Sequence, residues 1–403
     1  MEILVLGNGF DLAHVLPTSY HCFLTVTRIV SNLFLLDNLT IGRIFTEAQS
    51  ICPTIKKSYV KYKTVYDDCN LDVSVVSDYI NACRDNMWLK YFWQSSNEKD
   101  GWIDFEKDIG QAIEVIDEFL KKDCQSLRFS LRGKRGAIIH CFPFFYYSPD
   151  GSNVQGDYKF IERKKLTIKN EYVHTDVLAE SQSPNRERIA KEMYDSLIEF
   201  SELLDQYFKL FVEEPLTRIK EAKLIDLDDN YSRFDFVVSY NYTKTYELLY
   251  GNEGVDVSHI HGSLGNRIIL GINSDKNDEI DGDLTFIDFK KYYQRVVYGT
   301  DLDYIRQLYL MKQYPNDEIT VSVVGHSLDV TDKDSLEELF NIANYIIIYY
   351  HDKDKISQFV QNLIKLFGKQ KFDELRYEKE LQFLPQDGLR VQETVFPEFY
   401  SYE

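Results

Sequence analysis

Four polar turns in this chain carry groups able to hold or transform a ligand bearing phosphates or sugars, and each follows an apolar run. The first, Gly7-Asn8-Gly9-Phe10-Asp11, closes Ile3-Leu4-Val5-Leu6. Glycines after a buried strand let the backbone approach a pyrophosphate, and a helix start behind them offers N–H groups to anions. Leu12 occupies the place of the third glycine of a dinucleotide fingerprint, so a plain tight turn explains the segment equally well. The second, Ser239-Tyr240-Asn241-Tyr242-Thr243, follows Phe234 to Val238. Its Asn241 amide can donate to and accept from a sugar hydroxyl or a positioned water, the alternative being a helix cap.

The third turn is His259-Ile260-His261-Gly262-Ser263. Strand alternation would set both imidazoles on one face, yet no Asp, Glu or Cys at a telling spacing completes a metal site. His261, at a strand end and followed by glycine, has the reach a general base needs, whereas His259 reads as an ordinary strand residue. The fourth, Gly325-His326-Ser327-Leu328-Asp329, offers the Ser327 hydroxyl and nearby backbone to a ribose or phosphate. Capping of the next helix is the competing use. No P-loop, H-E-x-x-H or G-x-S-x-G pattern occurs, so the P-loop NTPase, zincin and α/β-hydrolase readings lack support.

These turns need strands to carry them. Ile3 to Leu6, Phe234 to Val238, Val255 to Ile260, Ile268 to Ile272, Ile319 to Val324 and Tyr345 to Tyr350 read as strands. Helices are expected from Tyr20 to about Leu35, Tyr242 to Tyr250, from about Asp332, and Lys353 to Phe367. Strand then helix, several times over, predicts an α/β fold with a doubly wound, mostly parallel, Rossmann-like sheet. Between its parts, Val76 to Trp93, Ile103 to Leu120 and Arg186 to Lys223 carry helical periodicity. Ala137 to Tyr147 and Tyr158 to Val173 look extended, the latter alternating like a hairpin, and the stretch from about Leu384 lacks periodicity. The expected division is a discontinuous core of residues 1–35 and 230–403, with 36–229 as a large, mainly helical insertion.

Composition narrows the function. A net charge of −19 over 403 residues disfavours contact with phosphate backbones, so no direct nucleic-acid partner is expected. The short basic runs Arg132, Lys134, Arg135 and Arg163, Lys164, Lys165 read as solvated surface. Cys22, Cys52, Cys69, Cys83, Cys124 and Cys141 form no C-x-x-C pair, and no apolar run is long enough to cross a bilayer. A cytoplasmic protein with free thiols, no metal and no membrane partner is expected. Aromatics at 14% suit packed helices and subunit interfaces alike.

Taken in order, the four turns resemble a family pattern. Gly7-Asn8-Gly9-Phe10-Asp11-Leu12-Ala13-His14 with Leu16-Pro17-Thr18-Ser19-Tyr20 resembles the start of AbiH abortive-infection proteins. Trp102-Ile103-Asp104-Phe105-Glu106, the second and third turns, and Ile346 to Asp352 are also similar to that family. More distantly, the same turns resemble the sirtuin-like superfamily, whose bacterial members include NAD-cleaving defence effectors. Gly7 and Gly9 match the two glycines of its first loop, Asn241 its motif Asn, His261-Gly262 its catalytic pair, and Gly325 with Ser327 its ribose-binding turn. Thr243 stands where the superfamily usually has an Asp that holds the nicotinamide amide, and Asp11 where it has a small residue. The resemblance implies a sirtuin-like core with Asn241 and His261 as catalytic residues. It implies that NAD, as substrate, meets Gly7, Asn8, Gly9, Phe10, Asp11, Ser239, Thr243, Gly262, Gly325 and Ser327. The implied role is an anti-phage effector that hydrolyses NAD at the nicotinamide–ribose bond, the alternative being a non-catalytic nucleotide-binding sensor or interaction module. A homo-oligomer and a phage-derived or partner-protein trigger complete the expectation, with the insertion as sensor, interface or lid.

Overall fold

The computed structural model describes residues 1–32, 39–95, 104–121, 134–155, 160–176, 181–251, 254–273, 283–313, 318–378 and 380–386. These fall into two compact units, one of residues 1–18, 212–267 and 299–403, the other of 19–211 and 268–298. The limits differ from the expected 1–35, 230–403 and 36–229. The helix Tyr20–Asn32 belongs with the helical unit, and residues 268–298 return to that unit late in the chain.

The first unit is built on a six-stranded sheet: β1 (Glu2–Leu6), β2 (Phe236–Ser239), β3 (Asp256–His259), β4 (Thr320–Val324), β5 (Tyr345–Tyr350) and β6 (Gln382–Pro385). Every neighbouring pair is parallel, and the spatial order is β3-β2-β1-β4-β5-β6. A parallel strand is covered on both faces, which is why Ile3-Leu4-Val5-Leu6 and Phe236-Val237-Val238-Ser239 are unbroken buried runs. One face sets Ile3, Val5, Phe236, Val238, Val321, Val323, Ile346 and Ile348 into a core cluster. Three helices complete that cluster: Leu302–Gln313 through Tyr304, Leu308 and Met311, Lys333–Ile342 through Leu336, Leu339 and Phe340, and Ile356–Glu378 through Leu363 and Leu366. Spacings of three and four residues place these side chains on one stripe of each helix. The last helix runs past the expected end at Phe367, because the chain breaks at Gly368 and then resumes helical form.

The second unit is mainly helical, with an antiparallel pair Phe145–Gln155 and Phe160–Ile168 and a shorter pair Val173–Asp176 and Ser181–Pro184. Aromatic rings fill its interior: Phe105 lies 4.3 Å from Phe92 and 5.1 Å from Phe200, and Trp88 4.9 Å from Phe142. Two expectations need correction. Ala137 to Tyr147 is not extended throughout, since Lys134–Cys141 is helical with Ile138 and Ile139 buried. Ile268 to Ile272 is no strand: it makes a single bridge, Ile272 to Lys290, and Gly271 abuts the Phe289 carbonyl too closely for any side chain. The aperiodic stretch from Leu384 contains the end of β6. Trp102, Ile103, Cys124 and Arg132 lie outside the described residues. Asp104 accepts from the Lys107 amide at 2.9 Å and Phe105 is buried, which fits a helix start for that motif.

The turn after β1 and the turn after β4 press backbone on backbone. Gly7 N–H donates to Val324 O at 3.1 Å and Gly9 N–H to Gly325 O at 2.8 Å. A Cβ at Gly7 would stand 2.5 Å from the His326 Cα, and one at Gly9 would stand 2.7 Å from the Gly325 Cα. Gly325 is held at φ +68, and its Cβ would stand 2.2 Å from the Phe10 nitrogen. Glycine alone satisfies both the conformation and the contact. Gly325→Ala is therefore expected to lower the unfolding free energy by more than about 2 kcal/mol, read from the midpoint of urea denaturation. An unchanged midpoint would show that the two turns have room to part.

Candidate active site

The four turns converge because their strands end in step. Leu6 pairs with both Ser239 and Val324, and Ser239 pairs with His259. The residues that follow stand in a row at the carboxyl edge of the sheet, centred on β1 and β4, where the strand order reverses. Open parallel sheets place their ligand crevice at that point. Two clusters of buried polar side chains occupy it.

The first cluster is centred on Asp11, whose side chain is about 1% exposed. Asp11 lies in the short helix Asn8–Ala13 that directly follows Gly7. Thr243 Oγ1 donates to Asp11 Oδ2 at 2.6 Å, and Thr245 Oγ1 donates to Thr243 Oγ1 at 3.1 Å. Asn241 Nδ2 donates to Gly7 O at 3.1 Å and to Asp11 Oδ1 at 3.3 Å, stitching the second turn to the first. Ser239 Oγ accepts from the Asn241 amide at 3.2 Å, as a capping residue would. Burial pushes the Asp11 carboxyl up to about 7; the Thr243 and Thr245 hydroxyls work against this, while Glu213 and Glu247 add to it.

The second cluster surrounds Asp332, the residue preceding the helix Lys333–Ile342. His261 Nε2 stands 3.0 Å from Asp332 Oδ1 and His326 Nε2 stands 3.3 Å from Asp332 Oδ2. All three residues are buried. The His261 contact is close in distance without being aligned as a hydrogen bond. Leu328 N–H donates to His326 Nδ1 at 2.9 Å, so that nitrogen carries no proton and the ring's proton sits on Nε2, facing the carboxylate. Tyr240 fills the space between the imidazoles, its ring 5.3 Å from His261 and 4.3 Å from His326, edge to face in both cases. Its hydroxyl reaches Ser335 Oγ at 2.7 Å, one turn along the same helix as Asp332.

The remaining expected residues divide. Gly262 takes φ +75 and donates to His259 O at 3.0 Å, turning the chain just past β3. Asn8 and Ser327 are exposed on the rim; Asn8 Oδ1 accepts from Thr18 at 2.6 Å, and Ser327 offers its carbonyl to Asn362 at 2.9 Å. The Phe10 ring is fully buried among His14, Tyr231, Tyr246 and Tyr250, so that side chain is core. The N–H groups of Gly7, Gly9 and Phe10 all meet backbone carbonyls within the fold. His259 turns away from His261: its Nδ1 faces Asn241 O at 2.9 Å and its Nε2 faces Glu247 at 2.7 Å. Sequence reasoning missed Asp332, His326 and Thr245. For Asp332 the only signal was its place at a helix start beyond the fourth turn.

The Asp11 environment has a consequence for stability. The folded chain holds this proton to about pH 7, whereas an unfolded Asp releases it near pH 4. Between those values the unfolded state binds fewer protons, so this contribution falls as pH rises from 4 to 7 and stays lost above, by about 4 kcal/mol at most. Asp11→Asn is expected to flatten that part of the stability–pH curve relative to the unaltered chain, measured by denaturant unfolding at a series of pH values. Parallel curves would place the titration elsewhere.

No curated protein and no solved structure matches the chain. Among the described residues, no helix is long and apolar enough to cross a membrane. The family model described as bacteriophage abortive infection AbiH matches residues 3–351, a span that contains all four turns and both clusters. The chain belongs to the AbiH family of bacteriophage abortive infection proteins.

Proposed function

We propose that this AbiH protein hydrolyses NAD at the nicotinamide–ribose bond, removing the dinucleotide from the infected cell. The observation that carries the reading is that Asn241 and His261 follow two adjacent parallel strands, β2 and β3, on one side of the point where the strand order reverses between β1 and β4. The likeness of those turns to the sirtuin-like pattern supports it, as does the pairing of Asp11 with Thr243. Where the superfamily has an Asp, this chain has Thr243, and a carboxyl arrives beside it from position 11.

The chemistry asks for little acid. As the C1′–N bond breaks, its electron pair neutralises the nicotinamide ring nitrogen, and positive charge spreads over the ribose as in other glycosyl transfers. Water adds to C1′ and its proton passes to His261, giving ADP-ribose, nicotinamide and one proton. Both hydrogens of the Asn241 amide nitrogen point at Gly7 and Asp11, so the contact to a ribose hydroxyl or to the water falls to Oδ1. The exposed Asn8 and Ser327 mark the rim over which the phosphates and second ribose would lie. Asp11, Asn241 and His261 are all buried, so a dinucleotide reaches them only after the side chains above them move aside. That suits an enzyme whose idle activity would kill its host.

Purified protein, alone or activated by infected-cell extract, is expected to release nicotinamide from NAD. His261→Ala and Asn241→Ala should each slow release by about 100-fold or more at unchanged folding. The inward-bonded amides of the first loop favour a second reading, a nucleotide-binding sensor without turnover. Thermal stabilisation by NAD or ADP-ribose with no nicotinamide released, in every activated preparation, would select the sensor and remove the hydrolase.

A further inference from the structure

We propose that Asp332 is the positioning residue of this site: it draws the His261 proton onto Nε2, leaves Nδ1 as the nitrogen that takes up the proton of the attacking water, and is itself braced by His326. The inference rests on the reading of His261 as general base and adds the groups that aim it.

Asp332 is 8% exposed, and a carboxylate so enclosed is retained only where donors meet both oxygens. Each oxygen faces one imidazole Nε2, at 3.0 Å for His261 and 3.3 Å for His326. The His326 tautomer is set independently by the Leu328 amide on Nδ1, so His326 presents Nε2–H whatever its partner does. Leu328 is held at φ +55, uncommon for a branched residue, with its side chain fully buried, which fixes that amide in place. His326 therefore serves Oδ2, and Oδ1 faces His261. A neutral imidazole beside a carboxylate settles with its proton on the facing nitrogen, here Nε2, and the opposite nitrogen becomes the base. The carboxylate then stabilises the imidazolium that forms when Nδ1 is protonated. Tyr240, wedged against both rings and tied to Ser335 on the Asp332 helix, keeps the three groups in register. The present His261–Asp332 contact lies within ion-pair distance but off line. Such contacts commonly tighten when a substrate binds.

The test reads the tautomer directly. Long-range proton–nitrogen NMR correlations on the full chain carrying nitrogen-15 histidine report which ring nitrogen is protonated, with signals assigned through His261→Gln and His326→Gln. Neutral Nε2–H forms at both His261 and His326 are expected in the unaltered protein. In Asp332→Asn, His326 should keep its form while His261 loses its preference. The same variant should lower kcat for nicotinamide release by about 100-fold with KM within about threefold. A proton on Nδ1 of His261 in the unaltered chain overturns the inference, and that measurement needs no folded variant. An Asp332→Asn protein with the original tautomer and rate overturns it too. If NAD is never cleaved but the tautomers are as stated, hydrolysis fails as the function while the positioning by Asp332 stands.

Discussion

The arrangement depends on two turns crossing with no side chain between them. Gly7 and Gly9 lie against Gly325 and His326 at distances only hydrogen can fill, and two backbone hydrogen bonds seal the contact. This fixes the carboxyl ends of β1 and β4 relative to one another, and with them the two residues that begin the polar clusters. Asp11 follows the first glycines within a single helical turn, and His326 directly follows the last one. Asn241 then ties the second turn to the same point through the Gly7 carbonyl. Placement of the polar groups is thus a backbone property first and a side-chain property second.

Around that junction the fold deals with three acidic groups in three ways. Asp11 meets hydroxyl and amide donors, and burial leaves it holding a proton to about pH 7. Asp332 stays with an imidazole at each oxygen. Glu247, half open to solvent, pairs with His259, whose pKa burial would lower but the Glu247 carboxylate raises above its ordinary value.

Much of the core could be read from the chain alone, for a physical reason. β1, β2, β4 and β5 are covered on both faces, and their apolar runs leave few other readings. The turns at their ends stood out because polar residues follow abruptly. What misled was context. The glycines of the first turn suit a ligand's approach, yet the structure shows them spent on another turn hundreds of residues away. Ile268 to Ile272 has strand composition but finds a single bridging partner. Lys134–Cys141 mixes charged and apolar residues without a strong period and is set by its packing. Asp332 could not be weighed at all, since the value of a carboxylate there depends on two histidines brought from separate strands. The two compact units divide the chain at other points than expected: residues 268–298 group with helices that precede them by more than fifty positions.

β6 forms one border of the six-stranded sheet. An uncovered parallel edge exposes a ladder of backbone donors and acceptors that can recruit a stray strand from another molecule. Here that border is four residues long and closes on Pro385, which has no N–H to give. Among the described residues, so short a seam leaves little on which a fibril or a misassembled neighbour could template.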